Sequence, residues 1–161
     1  MTRTRRHRML EETPTDSGGY VAEARIFTLE EAERTLPLLR RILTDLRTEY
    51  RVWQEALGDY ELLTGGARAE HGETEELLAA RRAVTDSADR ISAYLGEIEA
   101  IGCLFKGFDA GLVDFYTLRE DRLVFLCWRV DEDHITHWHD IEAGYAGRQP
   151  VDATFLTTTL H

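Results

Sequence analysis

The chain has 161 residues, of which 43% are hydrophobic and 30% are charged, and its formal net charge is -11 at pH 7. This length suits one folded domain, and the hydrophobic share excludes a wholly disordered or fibrous protein. The longest apolar run, at 123–128, is far shorter than the roughly 20 residues that span a bilayer. The acidic total also argues against a protein built to hold nucleic acid phosphates.

Residues 1–25 show no sustained apolar period, and we expect them to form a disordered basic and polar tail. The arginines Arg3, Arg5, Arg6 and Arg8 could contact nucleic acid or an acidic partner, but charges on an unstructured end are more often only solvated. No apolar stretch of a signal peptide accompanies them, and the two cysteines show no CxxC spacing. We therefore expect a protein of the reducing cytoplasm.

Two long amphipathic helices are expected next, at 28–63 and 74–101. The first begins at a capping box, Thr28-Leu29-Glu30-Glu31, and continues in an unbroken heptad pattern. Pro37 interrupts the pattern, and we expect a kink there because the apolar period continues past it. The link between the helices is short, so they should lie antiparallel as a hairpin. The apolar seam of the first helix consists of Leu29, Ala32, Leu36, Leu39, Leu43, Leu46, Tyr50, Trp53, Leu57 and Tyr60.

After Gly102 the pattern changes to short segments rich in β-branched and aromatic residues, which predict strands. The fold class is therefore α+β, a long antiparallel two-helix hairpin packed with a small three-stranded antiparallel sheet. The three strands are expected at 111–115, 122–130 and 135–139, followed by a glycine-rich loop at 143–150. The predicted organisation is a tail at 1–25, a single domain at 26–152 and a C-terminal tail at 153–161, with the hairpin at 28–101 and the sheet and loop at 102–150.

Strand register determines whether the sheet brings reactive side chains together. A two-residue turn at Glu120-Asp121 would place Asp114 directly opposite Cys127 on the neighbouring strand. A carboxylate beside a thiol in a mostly apolar sheet is costly unless a polar or cationic group completes the set. The third strand is the candidate source of that group.

The loop before the third strand decides where its histidines lie. A three-residue loop at 132–134 would set His139 opposite Cys127, on the face of Asp114, with His137 one pair along. A loop of two or four residues would turn both histidines to the opposite face. A shift of one residue in the strand register therefore decides whether the histidines join Asp114 and Cys127 in a polar cluster.

Three interpretations of this set stay open. Asp114, Cys127 and His139 could bind a divalent ion such as Zn²⁺, which accepts thiolate, imidazole and carboxylate ligands. They could equally form a hydrogen-bonded network in which Asp114 orients His139. Alternatively the set is purely structural, since cysteine is commonly a small buried hydrophobe. The neighbouring acidic residues 131–133 are interpreted as a solvated turn.

Several of these segments resemble a bacterial family, the domain of unknown function 2203 (DUF2203). Its opening is similar to Phe27-Thr-Leu-Glu-Glu-Ala32 followed by Leu36-Pro-Leu-Leu39, and its C-terminal signature to Gly111-Leu-Val-Asp-Phe115, Leu126-Cys-Trp-Arg129, Trp138-His139 and Ala143-Gly-Tyr-Ala-Gly-Arg-Gln-Pro150. The resemblance covers residues 26–151 and implies a domain without implying a reaction. His134 and His137 do not belong to the family pattern. The resemblance directs attention, as a ligand-binding set, to Asp114, Cys127, Arg129, Trp138, His139, Arg148 and Gln149.

Two classes of function follow, and the first is a non-catalytic assembly or interaction module with a polar pocket on its sheet. The length of the heptad seam favours it, because a two-helix layer has a second long face. Ile42, Val52 and Leu63 lie off the seam and could serve a partner. That partner would be a second copy of the chain or another helical protein, and neither a membrane nor nucleic acid is expected.

The alternative is a small metal- or anion-dependent enzyme. Asp114, Cys127 and His139 would be its metal ligands or acid–base groups, and Arg148 would hold an anionic substrate. Its possible cofactor is a divalent metal such as Zn²⁺. No GxSxG, GxGxxG or GxxxxGK[ST] motif is present, which removes the common hydrolase and nucleotide-loop interpretations.

Overall fold

A computed structural model describes residues 25–65 and 72–155 of the chain. Apart from Arg25, the predicted N-terminal tail lies outside the described residues, and so do residues 156–161. The described part contains two helices and one antiparallel sheet, which confirms the α+β class. No helix within it is long and apolar enough to cross a membrane. The elements are α1 (Leu29–Thr64), α2 (Glu75–Ile101), β1 (Leu104–Gly107), β2 (Leu112–Arg119), β3 (Arg122–Arg129), β4 (His137–Asp140) and β5 (Gln149–Pro150).

Helix α1 begins as the sequence predicts. The Thr28 hydroxyl accepts a hydrogen bond from the Glu31 amide at 3.1 Å, and the Glu31 carboxylate accepts one from the Thr28 amide at 3.2 Å. This capping box satisfies two backbone donors that the first helical turn leaves free. The helix then continues without a break through Pro37. One helix is therefore present, as the unbroken apolar pattern predicted.

The helices α1 and α2 pair as the predicted hairpin. Ser87 of α2 is buried and donates to the Glu49 carboxylate of α1 at 2.8 Å, and Arg90 pairs with the same carboxylate at 2.8 Å. Burial decreases along α1. Its last buried residue is Leu46, and the later seam residues are only partly covered. Ile42 is buried, so it does not serve a partner as the sequence suggested.

One face of the sheet packs against the first half of α1 and forms the core. Phe27, just before α1, meets Phe115 edge to face with ring centroids 5.1 Å apart. Phe155 is also buried, and its ring centroid lies 5.8 Å from that of Trp138. The sheet residues in this core are Val113, Phe115, Val124, Leu126, Trp128 and Trp138.

The sheet has five strands in the order β1-β2-β3-β4-β5, so the predicted number of three is wrong. Strand β1 has four residues and β5 has two, which is too short for an alternating pattern to show. Strand β5 ends in Pro150, and an edge strand tolerates proline because the missing amide faces no neighbour. The predicted strand boundaries also shift, since β2 extends to Arg119 and β4 begins at His137.

The predicted turn between β2 and β3 is present. Glu120 and Asp121 have φ values of 51° and 64°, the backbone signature of a type I′ hairpin turn. Asp114 consequently lies opposite Cys127, as predicted. The turn fixes this register locally, within the residues of the hairpin itself.

The next register differs from each of the alternatives left open by the sequence. The connection between β3 and β4 runs over 130–136, longer than the loops of two to four residues, and the pairing lies two positions from that of the three-residue loop. Cys127 lies opposite His137, whereas His139 lies opposite Phe125. Because side chains alternate with period two, this shift leaves His139 on the face of Cys127.

Polar side chains of α1 hold the loops at one end of the sheet. Glu33 accepts a hydrogen bond from the Ile135 amide at 2.6 Å, and Arg40 donates to the Val130 carbonyl at 2.8 Å. Arg47 donates to two carbonyl oxygens of the β1–β2 turn, at 3.2 and 2.9 Å. The three residues stand seven apart and form a polar row beside the apolar seam. The helix thus positions both loops beside the buried edge of the sheet.

Candidate functional site

Three buried polar side chains converge on the sheet face that points away from α1. Asp114 of β2, Cys127 of β3 and His139 of β4 each offer one possible ligand atom, and these atoms lie within 4.8 Å of one another. None of the three residues is more than 3% exposed. Three neighbouring strands therefore bring together the set that the sequence suggested, although through a different register.

His139 has a partner at each ring nitrogen. Its Nδ1 lies 2.8 Å from the Asp140 carbonyl oxygen, and its Nε2 lies 3.1 Å from Oδ2 of Asp114. A carbonyl oxygen only accepts hydrogen bonds, so Nδ1 carries a proton. With Nδ1 so engaged, Nε2 beside Asp114 is the ring nitrogen that a metal ion could contact. A backbone carbonyl on the opposite nitrogen is the usual support of a metal-ligating histidine.

The Cys127 thiol is held in its protonated form. Burial and the neighbouring Asp114 carboxylate together raise its pKa to about 12, and the Arg148 guanidinium opposes both effects. Burial likewise raises the pKa of the Cys103 thiol to about 12, in a site without such neighbours. Cys127 can therefore be a thiolate only when a cation contacts its sulfur atom.

The three side chains line a pocket of about 260 Å³. Gly144 has a φ of 63°, which favours glycine, and it precedes a short turn that places Tyr145 in the pocket wall. The pocket combines one polar corner with largely apolar walls, as ligand sites commonly do. Its lining residues are Lys106, Leu112, Asp114, Phe125, Cys127, His139, Ile141, Gly144 and Tyr145.

Arg148 lies beside this corner, but its charge is paired. Its Nη2 donates to the Glu132 carboxylate at 2.6 Å and to the Cys127 carbonyl at 3.2 Å. Glu132 also accepts a hydrogen bond from the Arg129 amide at 2.8 Å. The interpretation of Glu132 as part of a solvated turn is therefore wrong, because its side chain is 15% exposed and joins two loops.

A comparison with protein families shows to which family the chain belongs. The model of the family described as "Uncharacterized conserved protein (DUF2203)" matches residues 25–151. The chain belongs to the DUF2203 family. The match includes both helices, all five strands and the three converging side chains of the DUF2203 domain. Searches of curated proteins and of solved structures found no match to the chain.

The other residues to which the resemblance directs attention do not join the cluster. Trp138 lies on the opposite face of the sheet, in the core, and Gln149 is exposed beside it on β5. Arg129 forms an ion pair with Asp131 at 3.0 Å and donates to the Tyr145 hydroxyl at 2.8 Å. Arg129 therefore supports a wall of the pocket from outside.

The two further histidines of the β3–β4 region also lie apart from the cluster. His137 shares the sheet face of Cys127, but its Nδ1 contacts the Thr136 hydroxyl at 2.8 Å. His134 contacts Glu33 of α1 at 3.2 Å and is largely exposed.

Sequence reasoning missed Lys106, which lines the pocket from β1. A signal was present, because Lys106 is the single lysine among 19 basic residues. It went unused because β1 was not predicted, so nothing placed this residue next to Asp114. Leu104, two positions earlier, pairs directly with Asp114.

Proposed function

We propose that this DUF2203 domain binds a divalent metal ion of the zinc type through Asp114, Cys127 and His139. The observation that carries the proposal is the convergence of three different ligand atoms within 4.8 Å. Zinc bonds of about 2.0 Å to nitrogen and oxygen and about 2.3 Å to sulfur place ligand atoms about 3–4 Å apart. Small side-chain movements therefore suffice to complete the site.

The chemistry of the ligands favours zinc over harder ions. Magnesium and calcium prefer sets made of oxygen, whereas a thiolate and an imidazole suit zinc and its neighbours among the transition metals. The ion would also neutralise the two anionic ligands, Asp114 and the Cys127 thiolate, in a site where isolated charges are costly. The free thiols of both cysteines suit the reducing cytoplasm that we propose as the location.

Three protein ligands would leave the fourth zinc position open, and the pocket that these three side chains line could admit a further ligand. Structural zinc sites are usually closed by four protein ligands, whereas catalytic sites keep one position for water or substrate. A water bound there would have its pKa lowered to about 7. We therefore propose metal-assisted hydrolysis as the class of activity, with the apolar walls of the pocket excluding bulk water.

Metal analysis tests this proposal directly. Protein prepared without a histidine tag should contain about one zinc-type ion per chain, and cobalt substitution should give a thiolate-to-cobalt absorption band. Cys127→Ser should abolish that band. Cys103→Ser is the matched control, because Cys103 is also buried and its thiol donates to the Ile98 carbonyl, at 3.6 Å. His139→Gln should weaken binding, and His137→Gln should leave it unchanged.

Two outcomes would overturn the metal proposal. The first is purified protein without bound metal whose thermal stability is the same with and without added zinc or a chelator. The second is equal loss of metal in the Cys103→Ser and Cys127→Ser variants, which would indicate general destabilisation. In either case Asp114 and His139 would form only a buried hydrogen-bonded pair.

A second function is proposed on the basis of a groove between the far ends of the two helices. Leu62, which lines it, is 78% exposed. We propose that it binds an amphipathic helix with basic residues from another protein, because carboxylates rim the groove and would repel the same groove of a second copy. The groove has a volume of about 590 Å³ and is lined by Val52, Glu55, Ala56, Asp59, Leu62, Leu63, Glu76, Ala80 and Ala83.

The groove proposal is tested with a model peptide. A fluorescent amphipathic helix of leucine and lysine should bind the chain, and its anisotropy should report the affinity. Leu62→Asp should weaken binding, whereas Leu38→Asp, at an exposed leucine outside the groove, should not. Equal effects of the two substitutions would contradict the proposal, as would light scattering that shows dimers sensitive to Leu62→Asp.

A further inference from the structure

Lys106 stands at the edge of the pocket, at an irregularity in the sheet. The β1–β2 pairing shifts between Phe105 and Gly107, so Lys106 lies at a β-bulge. Bulges redirect a side chain and are common beside functional sites. The Lys106 ammonium lies 5.1 Å from the ring centroid of Phe125, which lines the pocket, and that ring lies 5.4 Å from the His139 imidazole.

Within residues 25–65 and 72–155, the Lys106 ammonium has no carboxylate partner. It lies over the Phe125 ring instead. The arginines near the pocket differ. Arg148 is paired with Glu132 at 2.6 Å, and Arg129 is paired with Asp131 at 3.0 Å. In a chain with a net charge of -11, an ammonium group left without a carboxylate partner at a pocket is a place for an anion from outside.

We infer that the pocket binds a small organic carboxylate, with one carboxylate oxygen on the open metal position and Lys106 balancing its negative charge. This inference rests on the proposed metal site. The remaining wall is apolar and includes Leu112 and Ile141, which suits a short hydrocarbon chain. The pocket volume of about 260 Å³ is below the roughly 300–1,000 Å³ of sites for drug-sized ligands, so the molecule is small.

Titration of the cobalt-loaded full chain with acetate, butyrate and inorganic phosphate tests the inference. Butyrate should change the cobalt absorption at lower concentration than acetate, because its longer chain buries more apolar surface. Lys106→Met should weaken butyrate binding about tenfold or more, since a charge-assisted contact is lost. Lys106→Arg should restore most of the affinity. Arg34→Met removes the same charge from the exposed side of α1 and should change nothing.

The outcomes separate this inference from the metal proposal. Metal content should be the same in wild type and Lys106→Met, because Lys106 is not a ligand. If metal is bound but the Lys106→Met variant binds butyrate as tightly as the wild type, the inference alone is overturned. Tighter binding of phosphate than of butyrate would also overturn it. Absence of metal would overturn the proposed function. In that case, calorimetry on the metal-free chain measures whether the pocket still binds butyrate through Lys106. If butyrate does not bind, the inference of a carboxylate pocket is overturned as well.

Discussion

Cys103 and Cys127 are buried to a similar degree but differ in their neighbours. Burial raises the pKa of each thiol to about 12. Cys127 also has the Asp114 carboxylate and the His139 imidazole within ligand distance, whereas the Cys103 thiol contacts a backbone carbonyl. The proposed metal ion would therefore replace the thiol proton at Cys127, and no second ligand group lies beside Cys103 in the part of the chain that the structure describes.

Metal binding should depend on pH through the Cys127 proton. The thiol pKa of about 12 means that the thiol is protonated across the neutral range, so binding must release a proton. The apparent zinc affinity should rise about tenfold for each pH unit between pH 6 and 8. Chelator competition at three pH values measures this slope. Cys127→Ser should flatten it and Cys103→Ser should not, and an unchanged slope in Cys127→Ser would contradict the thiolate ligand.

The polar row on α1 explains how a helix on one face of the sheet organises a site on the other. Arg40 donates to the backbone carbonyls of Val130 and Glu132, and its guanidinium lies 5.3 Å from the Trp128 ring centroid. The Glu132 side chain in turn holds Arg148 beside Cys127. The β3–β4 loop thus connects the helix to the pocket.

Arg40→Ala should destabilise the protein by about 1–3 kcal/mol, because it leaves the Val130 carbonyl oxygen without its donor and removes one of the two donors to the Glu132 carbonyl oxygen, the other being the Trp128 indole. Urea unfolding followed by circular dichroism measures the change. Arg41, the next residue, is exposed and provides the control, for which Arg41→Ala should cost less than about 0.5 kcal/mol. Similar losses in the two variants would show that helix propensity, and not the loop contact, is responsible.

The β2–β3 turn carries two residues in a conformation that favours glycine and asparagine. Glu120→Asn combined with Asp121→Gly should stabilise the protein by about 1 kcal/mol, because both positions have positive φ. The urea midpoint should rise accordingly. Asp133 is exposed and does not have a positive φ. Asp133→Gly should therefore lower the urea midpoint, since glycine adds conformational freedom to the unfolded chain. A rise in both variants would contradict this explanation.

The elements that could be predicted from the sequence are those fixed by nearby residues. The capping box at Thr28, the helical hairpin and the pairing of Asp114 with Cys127 all depend on short stretches of chain. The β3–β4 register depends on a loop held by Glu33 and Arg40, about 90 to 100 residues away. Alternation limited His139 to one of two faces, and no local pattern could decide the face or the exact partner.

The site was predictable to a similar extent. Its three converging side chains follow from residue type and strand alternation, whereas the pairing of Arg148 with Glu132 requires the folded loop. Lys106 was missed because a four-residue strand with a bulge shows no period. Contacts between distant segments decide these positions, and a single sequence contains no pattern that marks them.

The whole molecule is unevenly packed along its length. The first half of α1 is covered by the sheet and by α2, and its buried residues end at Leu46. Beyond Tyr50 no residue of α1 is buried, and Ser87 and Ile98 are the buried residues of α2. Since local stability follows buried apolar contact, the two ends of the hairpin should differ in how often they open.

Amide hydrogen exchange should reveal this gradient. Amides at 38–46 should exchange only through global unfolding, whereas those at 53–64 and 75–83 should exchange through local opening and faster by at least about tenfold. Leu39→Ala should lower global stability by about 2–5 kcal/mol, because Leu39 is fully buried. Leu57→Ala, in the partly exposed half, should cost less and should speed exchange mainly at 53–64. Uniform protection along α1 would contradict the gradient and would indicate that the hairpin unfolds as one cooperative unit.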